Sequence, residues 1–467
     1  MLIGWATVDV TPSRPVNLHG QFHVRVSQFV SDPLTATALA LESVTPDGAR
    51  EQAIMISCDR VYVPSEIHQR VCAALAPLLP DFDPAKLFFN ATHTHTAPDI
   101  VSGFYPPQGP DVTTPEEYAD FFVEQTTDAA VRAWQARAEG GITTGLGHAV
   151  VGLNRRITYA DGSSVMYGST NRGDFECVEG YEDHSVGLVF TWDDAGELAG
   201  MIVNLACPSQ VVEGESFVSA DFWHETREEL RRRFGEGLCV LAQCSAAGDQ
   251  SPHPLLYQAA EAAMRERRGL TEREEIARRI ANAVTETLEV ASTDLQTDPP
   301  FRHLVRTLDL PARAVTEQEY NDAAAELERL QREAPGLTES NAVSGNWVHS
   351  WRCRDVMGRF EEQRSSLIKP VDVHVMRLGD TAICTNPFEL FLDYGLRMKA
   401  RSEAQQTLVV QLVSSAIGCR GAYLPTARAV AGASYGALIA DNIFGPEAGQ
   451  ALVEGTVAMI NEMWDGE

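Results

Sequence analysis

The sequence predicts an α/β (α+β) fold, a mixed β-sheet core flanked by helices. Three observations carry this. Short apolar runs alternate with amphipathic stretches along the whole length, as strands interleaved with helices do. No Gly/Ser-rich or Pro-rich linker interrupts the alternation, so residues 1–467 read as a single catalytic-size domain. Hydrophobic residues make up 44% of the chain and charged residues 22%, the balance of a globular protein with a sizeable core.

The elements follow in order. Ile3–Val10, Ala36–Ser43, Gln52–Cys58 and Lys86–Ala91 are apolar runs between turn signals and predict strands. Pro64–Leu79 predicts a helix that Pro80 stops. Thr114–Ala138 opens Thr-Pro-Glu-Glu, with proline in the first turn and acids that suit the helix dipole. Gly141–Val151, Val186–Trp192, the fully apolar Gly200–Ala206 and Leu238–Gln243 predict strands; Asp221–Phe234 and Leu270–Ala291 predict helices. Asp161-Gly162 predicts a hairpin turn. Thr316-Glu-Gln-Glu319 is a capping box that starts a charged surface helix running to Glu333. Val371–Leu378, Thr381–Thr385 and Leu408–Ser414 predict strands, and Phe388–Ala400 and Pro446–Met463 predict helices. The 295–315 and 335–350 stretches are the loosest.

Charge narrows the function classes. With 37 Lys+Arg against 65 Asp+Glu, the net charge is −28. Such a chain lacks the basic surface that nucleic acid or anionic lipid requires. Its longest apolar stretches, such as Thr407–Val413, fall far short of the roughly 20 residues of a membrane span. The start, Met1-Leu2-Ile3-Gly4-Trp5, enters a strand pattern without a basic n-region. Nine scattered cysteines without CxxC spacing suit reduced thiols and a cytoplasmic protein.

Four segments could carry chemistry. The apolar run Phe88–Ala91 ends in Thr92-His93-Thr94-His95. In a strand, residues two apart share a face, so both imidazoles would aim at one site, for metal or for catalysis. Cys244-Ser-Ala-Ala-Gly-Asp-Gln-Ser-Pro-His253 follows an apolar strand, and its small residues permit close backbone approach. Ser251 lies between Asp249 and His253, but spacing of two does not make a relay, and a Gly/Asp turn is the plainer reading. Asn386-Pro-Phe-Glu389 reads as a strand-to-helix junction with Glu389 in the first turn. Gly421-Ala-Tyr423-Leu-Pro-Thr426 precedes Tyr435 by twelve residues, counted from Tyr423. His68, His148, His303, His349 and His374 show no convergent partners.

Taken in series, these segments resemble the neutral/alkaline, non-lysosomal ceramidases, specifically their N-terminal catalytic domain. Thr92-His-Thr-His95 is similar to that family's Thr-His-Thr-His-Ser-Gly-Pro, and Gly248-Asp-Gln-Ser-Pro252 to its Gly-Asp-Val-Ser-Pro. Phe388-Glu389, the Tyr423/Tyr435 pair, Asn154-Arg155 and the opening Ile3–Pro12 also resemble family segments, so the likeness spans nearly the whole chain. Leu18–Arg25, with His19 and His23, matches an early Gly-rich loop and is a candidate for the pocket rim.

The resemblance implies a single zinc, with His93, Glu389 and Tyr423 as three ligands. The family's second histidine ligand is replaced by Cys207. Thiolate is a competent zinc ligand, so three readings stay open: Cys207 completes the set, His224 swings in as a substitute ligand, or the site is weakened or lost; the persistence of His93, Glu389 and Tyr423 favours a retained metal. The resemblance further places His95, Arg155, Ser251 and Tyr435 around the substrate as the catalytic group. The implied chemistry is attack of zinc-activated water on an amide (N-acyl) bond, with a cation or hydroxyl steadying the oxyanion and a histidine protonating the leaving amine. The chain stops where the family continues into an immunoglobulin-like domain. That, with the charge of −28, points to a small polar substrate other than ceramide. Two alternatives stand beside this: a zinc-dependent hydrolase of a glycosidic or ester bond, and an inactive ligand-binding relative. Trp223, Trp347, Trp351 and Tyr423 would suit sugar stacking, although core packing is commoner.

Overall fold

Alternating side chains build four layers. Along Thr35–Val44, Ala36, Ala38 and Ala40 face one apolar cluster while Leu39 and Leu41 face another. The same split recurs on Arg50–Cys58, with Ile54 and Ile56 on one side and Ala53 and Met55 on the other. Strands with both faces buried read as continuous apolar runs, and that is how they stand in the sequence. The computed structural model describes residues 1–44, 48, 50–334, 344–414 and 422–465. Gly421, Cys419 and the first part of the 335–350 stretch lie outside them.

The larger sheet has eight strands, in the order Cys239–Cys244, Leu198–Leu205, Ser185–Asp193, Ala138–His148, Leu2–Asp9, Thr35–Val44, Arg50–Cys58, Leu87–Ala91. Its middle is antiparallel. The outermost pair at each end is parallel, with helix Phe222–Phe234 joining one and Ser65–Leu75 the other. The second sheet has four strands, Phe301–Pro311, Ile368–Leu378, Thr381–Thr385 and Gln406–Val410. An apolar layer that includes Phe88, Val189, Ile202, Leu241, Met376, Ile383 and Val410 fills the space between the sheets. Helices Pro115–Gln135 and Glu272–Ala291 cover the outside of the large sheet, and Leu392–Arg401 and Pro446–Asn461 cover the small one. The mixed sheet core with flanking helices is the expected class. Among the described residues, every cysteine is free and no helix is long and apolar enough to cross a membrane.

Several elements differ from expectation. The loose 295–315 stretch contains the strand Phe301–Pro311, paired along its whole length with Ile368–Leu378. Its charged, half-exposed residues mask the alternation because it is an edge strand. Helices Gln258–Arg268 and Ser344–Glu362 were not legible either. Glu389 is not in a helical turn. Glu389–Leu390 is a short strand parallel to Tyr423–Leu424, and the helix begins at Leu392. The extended backbone of Glu389–Leu390 pairs with Tyr423–Leu424, and the Glu389 and Phe391 N–H groups bond the Ala422 and Leu424 carbonyls, so the helix starts only after Phe391. The 161–162 turn is as expected, with Gly162 at φ +80° and its N–H bonded to the Tyr159 carbonyl at 2.8 Å.

Helix Phe222–Phe234 carries a pH-dependent element. Burial holds the Glu225 carboxyl up at about 7 despite Arg273 at 3.0 Å. A carboxyl raised in the folded state adds stability below its unfolded range and loses it as pH rises through about 7. Glu225→Gln keeps the neutral shape. Its Tm should exceed that of the wild type at alkaline pH and match it near pH 4, below the unfolded carboxyl range, as thermal unfolding at the two pH values would show.

Candidate active site

The C-terminal ends of both parallel strand pairs lead into one region. Beyond Ala91 the chain leaves the sheet, and His93 adopts φ +66°. Strand alternation therefore does not bring the two histidines together; a bend does. The bend is tied down on several sides. The backbone N–H of His93 bonds the Arg60 carbonyl at 2.9 Å, and the Thr92 carbonyl accepts from the Ser209 hydroxyl at 2.7 Å. The two imidazoles still meet, with Nε2 atoms 3.4 Å apart.

His93 Nδ1 lies 2.8 Å from the Val61 carbonyl, which can only accept, so Nδ1 carries a hydrogen, and in the neutral ring Nε2 presents a lone pair. That Nε2 faces the Glu389 Oε2 carboxylate oxygen at 3.3 Å. Two acceptors in contact repel unless a positive charge, a proton or a metal ion, sits with them. A carbonyl fixing the far nitrogen is also the usual support of a metal-bound imidazole. Two donors on one tetrahedral zinc stand about 3.3–3.4 Å apart, given Zn–N and Zn–O bonds near 2.0–2.1 Å. The His93/Glu389 pair fits that spacing. Among the described residues, no three His, Cys, Asp or Glu side chains form a ready metal-holding group. A third protein donor would thus be of another type, and Tyr423 pairs in register with Glu389.

Arg155 stands behind these groups, with its side chain enclosed. It donates to the Tyr423 hydroxyl at 3.1 Å, the Gly248 carbonyl at 3.0 Å, Gln210 Oε1 at 3.1 Å and the Tyr167 hydroxyl at 3.3 Å. Burial alone would lower its pKa, but the Tyr423 and Tyr167 hydroxyls and Glu389 lift it well above the ordinary value, so it stays cationic. Burial, together with Glu389 and Tyr435, keeps the Tyr423 phenol protonated far above its usual range. Burial first, then Glu389 and Asp441, does the same for Tyr435, whose ring meets that of Tyr423 edge-on at 5.4 Å. Burial and the neighbouring charges of His93, Arg25 and Arg155 push His95 well below its ordinary value, leaving a neutral ring.

The glycines of the motifs have specific reasons. A Cβ on Gly248 would come within 2.4 Å of the Glu389 carbonyl. Gly20 has φ +110°, and its Cβ would meet the His95 ring at 2.5 Å. Gly20→Ala is accordingly expected to cost about 1–3 kcal/mol in urea unfolding, through backbone strain and displacement of the imidazole.

His93, His95, Glu389, Tyr423 and Tyr435 line one cavity of about 1000 Å³. His19, Gly20, Gln21 and Phe22 of the early loop line it too, as do Tyr62, Phe104 and Trp351. The other expected residues fall elsewhere. Cys207 is fully buried in an apolar cluster with Phe222 and Trp223, donates to the Pro208 carbonyl at 3.4 Å and does not line the cavity. Burial raises its thiol well above the usual range, which disfavours a thiolate. The placement speaks against Cys207 as the fourth ligand. His224 is half-buried on helix Phe222–Phe234 and does not line the cavity either. Ser251 is enclosed, and its Oγ accepts from the Tyr167 hydroxyl at 3.2 Å. There is no Ser–His–Asp relay. Asp249 caps Leu392 N–H at 2.9 Å and takes the Asn154 amide at 2.8 Å, while the His253 ring donates to the Gln210 carbonyl at 2.8 Å. Trp223 is core.

Sequence reading missed Gln210, Glu213 and Tyr167. Gln210 and Glu213 sit just beyond Cys207, on either side of Val211-Val212, and the signal in the sequence is polar residues in an otherwise apolar segment after the strand Leu198–Leu205. His303 and His374, expected to be isolated, converge at 3.1 Å between the sheets, because their antiparallel strands bring them side by side.

No protein-family model matches the chain, and no curated protein sequence does. Among solved structures it is similar to a ceramidase complexed with C2, with a TM-score of 0.69 and 16% identity, over 99% of this chain and 75% of that one. It is likewise similar to the neutral ceramidase from Pseudomonas aeruginosa, with a TM-score of 0.66 and 16% identity, over 99% of this chain and 74% of that one. At that identity the likeness is one of fold: the chain has the mixed α/β fold of the neutral ceramidases.

Proposed function

We propose that this chain is a metal-assisted hydrolase of an amide (N-acyl) bond in a small polar molecule. The contact of His93 Nε2 with the Glu389 Oε2 carboxylate at 3.3 Å, a spacing that suits a shared cation, on a cavity of about 1000 Å³, carries the reading. The ceramidase fold supports the bond type. The cavity supports polarity: Arg70, Glu116, Asp120 and Arg352 line it together with the aromatic rings.

His93, Glu389 and Tyr423 would hold the ion, and zinc suits their nitrogen and oxygen donors. When bound, zinc supplies Lewis acidity that polarises a carbonyl and makes water a nucleophile near neutral pH. The chain's own groups do the rest. Arg155 donates into the Tyr423 hydroxyl, which leaves that O–H free to donate onward, to Tyr435 or to a carbonyl oxygen in the cavity. A fixed cation behind a phenol is a preorganised oxyanion stabiliser. Tyr167 and Ser251 extend the same hydrogen-bond chain and keep the guanidinium in place. Water adds to the carbonyl carbon, the C–N bond breaks, one water proton goes to the amine nitrogen, and the other is lost from the new carboxylic acid to the amine or to solvent. The products are a carboxylate and an amine, protonated at neutral pH.

Cys207 lies outside this ligand set. Cys207→Ala should leave the zinc content of the full chain unchanged, as elemental analysis would show. A second reading, glycosidic or ester hydrolysis, draws on Phe104, Trp351 and Tyr62 at the cavity wall, which suit sugar stacking. A panel of soluble N-acyl amines, N-acyl sugars, glycosides and esters separates the two. Amine release from N-acyl compounds supports the amidase. Activity on glycosides or esters alone supports the second reading, and no turnover on any of them favours a ligand-binding protein.

A further inference from the structure

Gln210 follows the strand Leu198–Leu205, in a segment whose Ser209 hydroxyl is fastened to the Thr92 carbonyl at 2.7 Å. Its side chain is buried, with the residue 1% exposed. A primary amide has one accepting end and one donating end, whereas a guanidinium can only donate. Arg155 Nη1 lies 3.1 Å from Gln210 Oε1, and this fixes which way the amide points. The NH2 end then meets His95 Nε2 at 2.8 Å. An amide nitrogen cannot accept, so His95 Nε2 must. The remaining ring hydrogen sits on His95 Nδ1, which makes no hydrogen bond; the Glu213 Oε2 carboxylate is 3.6 Å away. The Glu213 backbone is itself held, because Arg25 Nη1 bonds its carbonyl at 2.8 Å.

We infer that Gln210 is a positioning residue: it locks His95 as the Nδ1–H tautomer and occupies the Nε2 lone pair that faces His93. Without that amide, His95 Nε2 would stand 3.4 Å from His93 Nε2 with its lone pair open, the spacing of a second nitrogen on the same ion. With it, His95 is kept beside the His93/Glu389 pair as a neutral ring rather than a ligand. The tautomer rests on hydrogen-bond geometry alone; its bearing on hydrolysis rests on the proposed function.

The test is nitrogen NMR of the ¹⁵N-histidine-labelled full chain near neutral pH with no metal added, His95 being assigned by its loss in His95→Gln. The expected spectrum has the His95 hydrogen on Nδ1. In Gln210→Glu, an isosteric change that keeps an acceptor for Arg155 but removes the donor to the ring, a hydrogen should appear on Nε2. An Nε2–H tautomer in the wild type overturns the inference. So does a Gln210→Glu spectrum unchanged from the wild type in a chain that melts normally. If that variant does not fold, the wild-type tautomer alone decides. Absence of N-acyl hydrolysis would sink the proposed function and leave the tautomer assignment standing, so the two failures are distinguishable.

Discussion

Glu389→Gln is expected to lower N-acyl hydrolysis on the order of a thousandfold while leaving the fold intact or slightly firmer. The two effects have one cause. In the wild type a carboxylate oxygen faces His93 Nε2 at 3.3 Å, a contact that a proton or a metal ion makes favourable. Glutamine of the same shape offers an N–H to the neutral ring's lone pair, so the contact holds without a cation. The charge that would help hold the ion is then gone. Loss of several kcal/mol of transition-state stabilisation corresponds to roughly a thousandfold in rate, at 1.36 kcal/mol per tenfold. A gain in stability with a loss of activity is the signature of a functional site under local strain. Amine release and Tm measured on the same preparation check both halves. Full activity in the variant would remove Glu389 from the mechanism.

Arg227→Met is expected to cost about 3–5 kcal/mol, the usual penalty for stripping one partner from a buried ion pair. Arg227 grips Asp59 with both nitrogens, at 2.7 and 2.9 Å, and the two side chains are 4% and 0% exposed. Asp59 closes the strand Arg50–Cys58 and accepts from Thr92 at 3.3 Å, so it also supports the bend that presents His93. Denaturant unfolding of the single variant gives the loss. The double variant Asp59→Asn with Arg227→Met should recover much of it, because the uncompensated charge is then gone. A single-variant loss below about 1 kcal/mol would mean that Asp59 finds water or another cation.

The layered core was legible because doubly buried strands leave unbroken apolar runs, and helix starts because capping boxes are local. Thr316 forms the box its sequence spells, and the helix announced by Thr-Pro-Glu-Glu starts at Pro115, with Thr114 as its cap. Phe301–Pro311 was hidden because an edge strand keeps its charges. The site was legible as a set of residues but not as a geometry. His93 and His95 meet through a bend at φ +66°, a conformation strand periodicity does not describe. Glu389 is aligned by pairing with Tyr423, a contact across thirty-four residues (423 − 389) that no local signal encodes. Cys207 stands where the resemblance implies a histidine. The side chain that reaches His95 is Gln210, three positions on, because the chain turns after Pro208 and buries the thiol instead.

The most direct test is X-ray absorption at the zinc edge on the full chain loaded with one equivalent of zinc, set beside zinc content in His93→Ala. The expected result is a first shell of nitrogen and oxygen at about 2.0–2.2 Å, and loss of the bound ion in the variant. A sulfur near 2.3 Å would put Cys207 back on the metal. A wild-type chain that retains no zinc would contradict the proposal that His93, Glu389 and Tyr423 hold a metal ion.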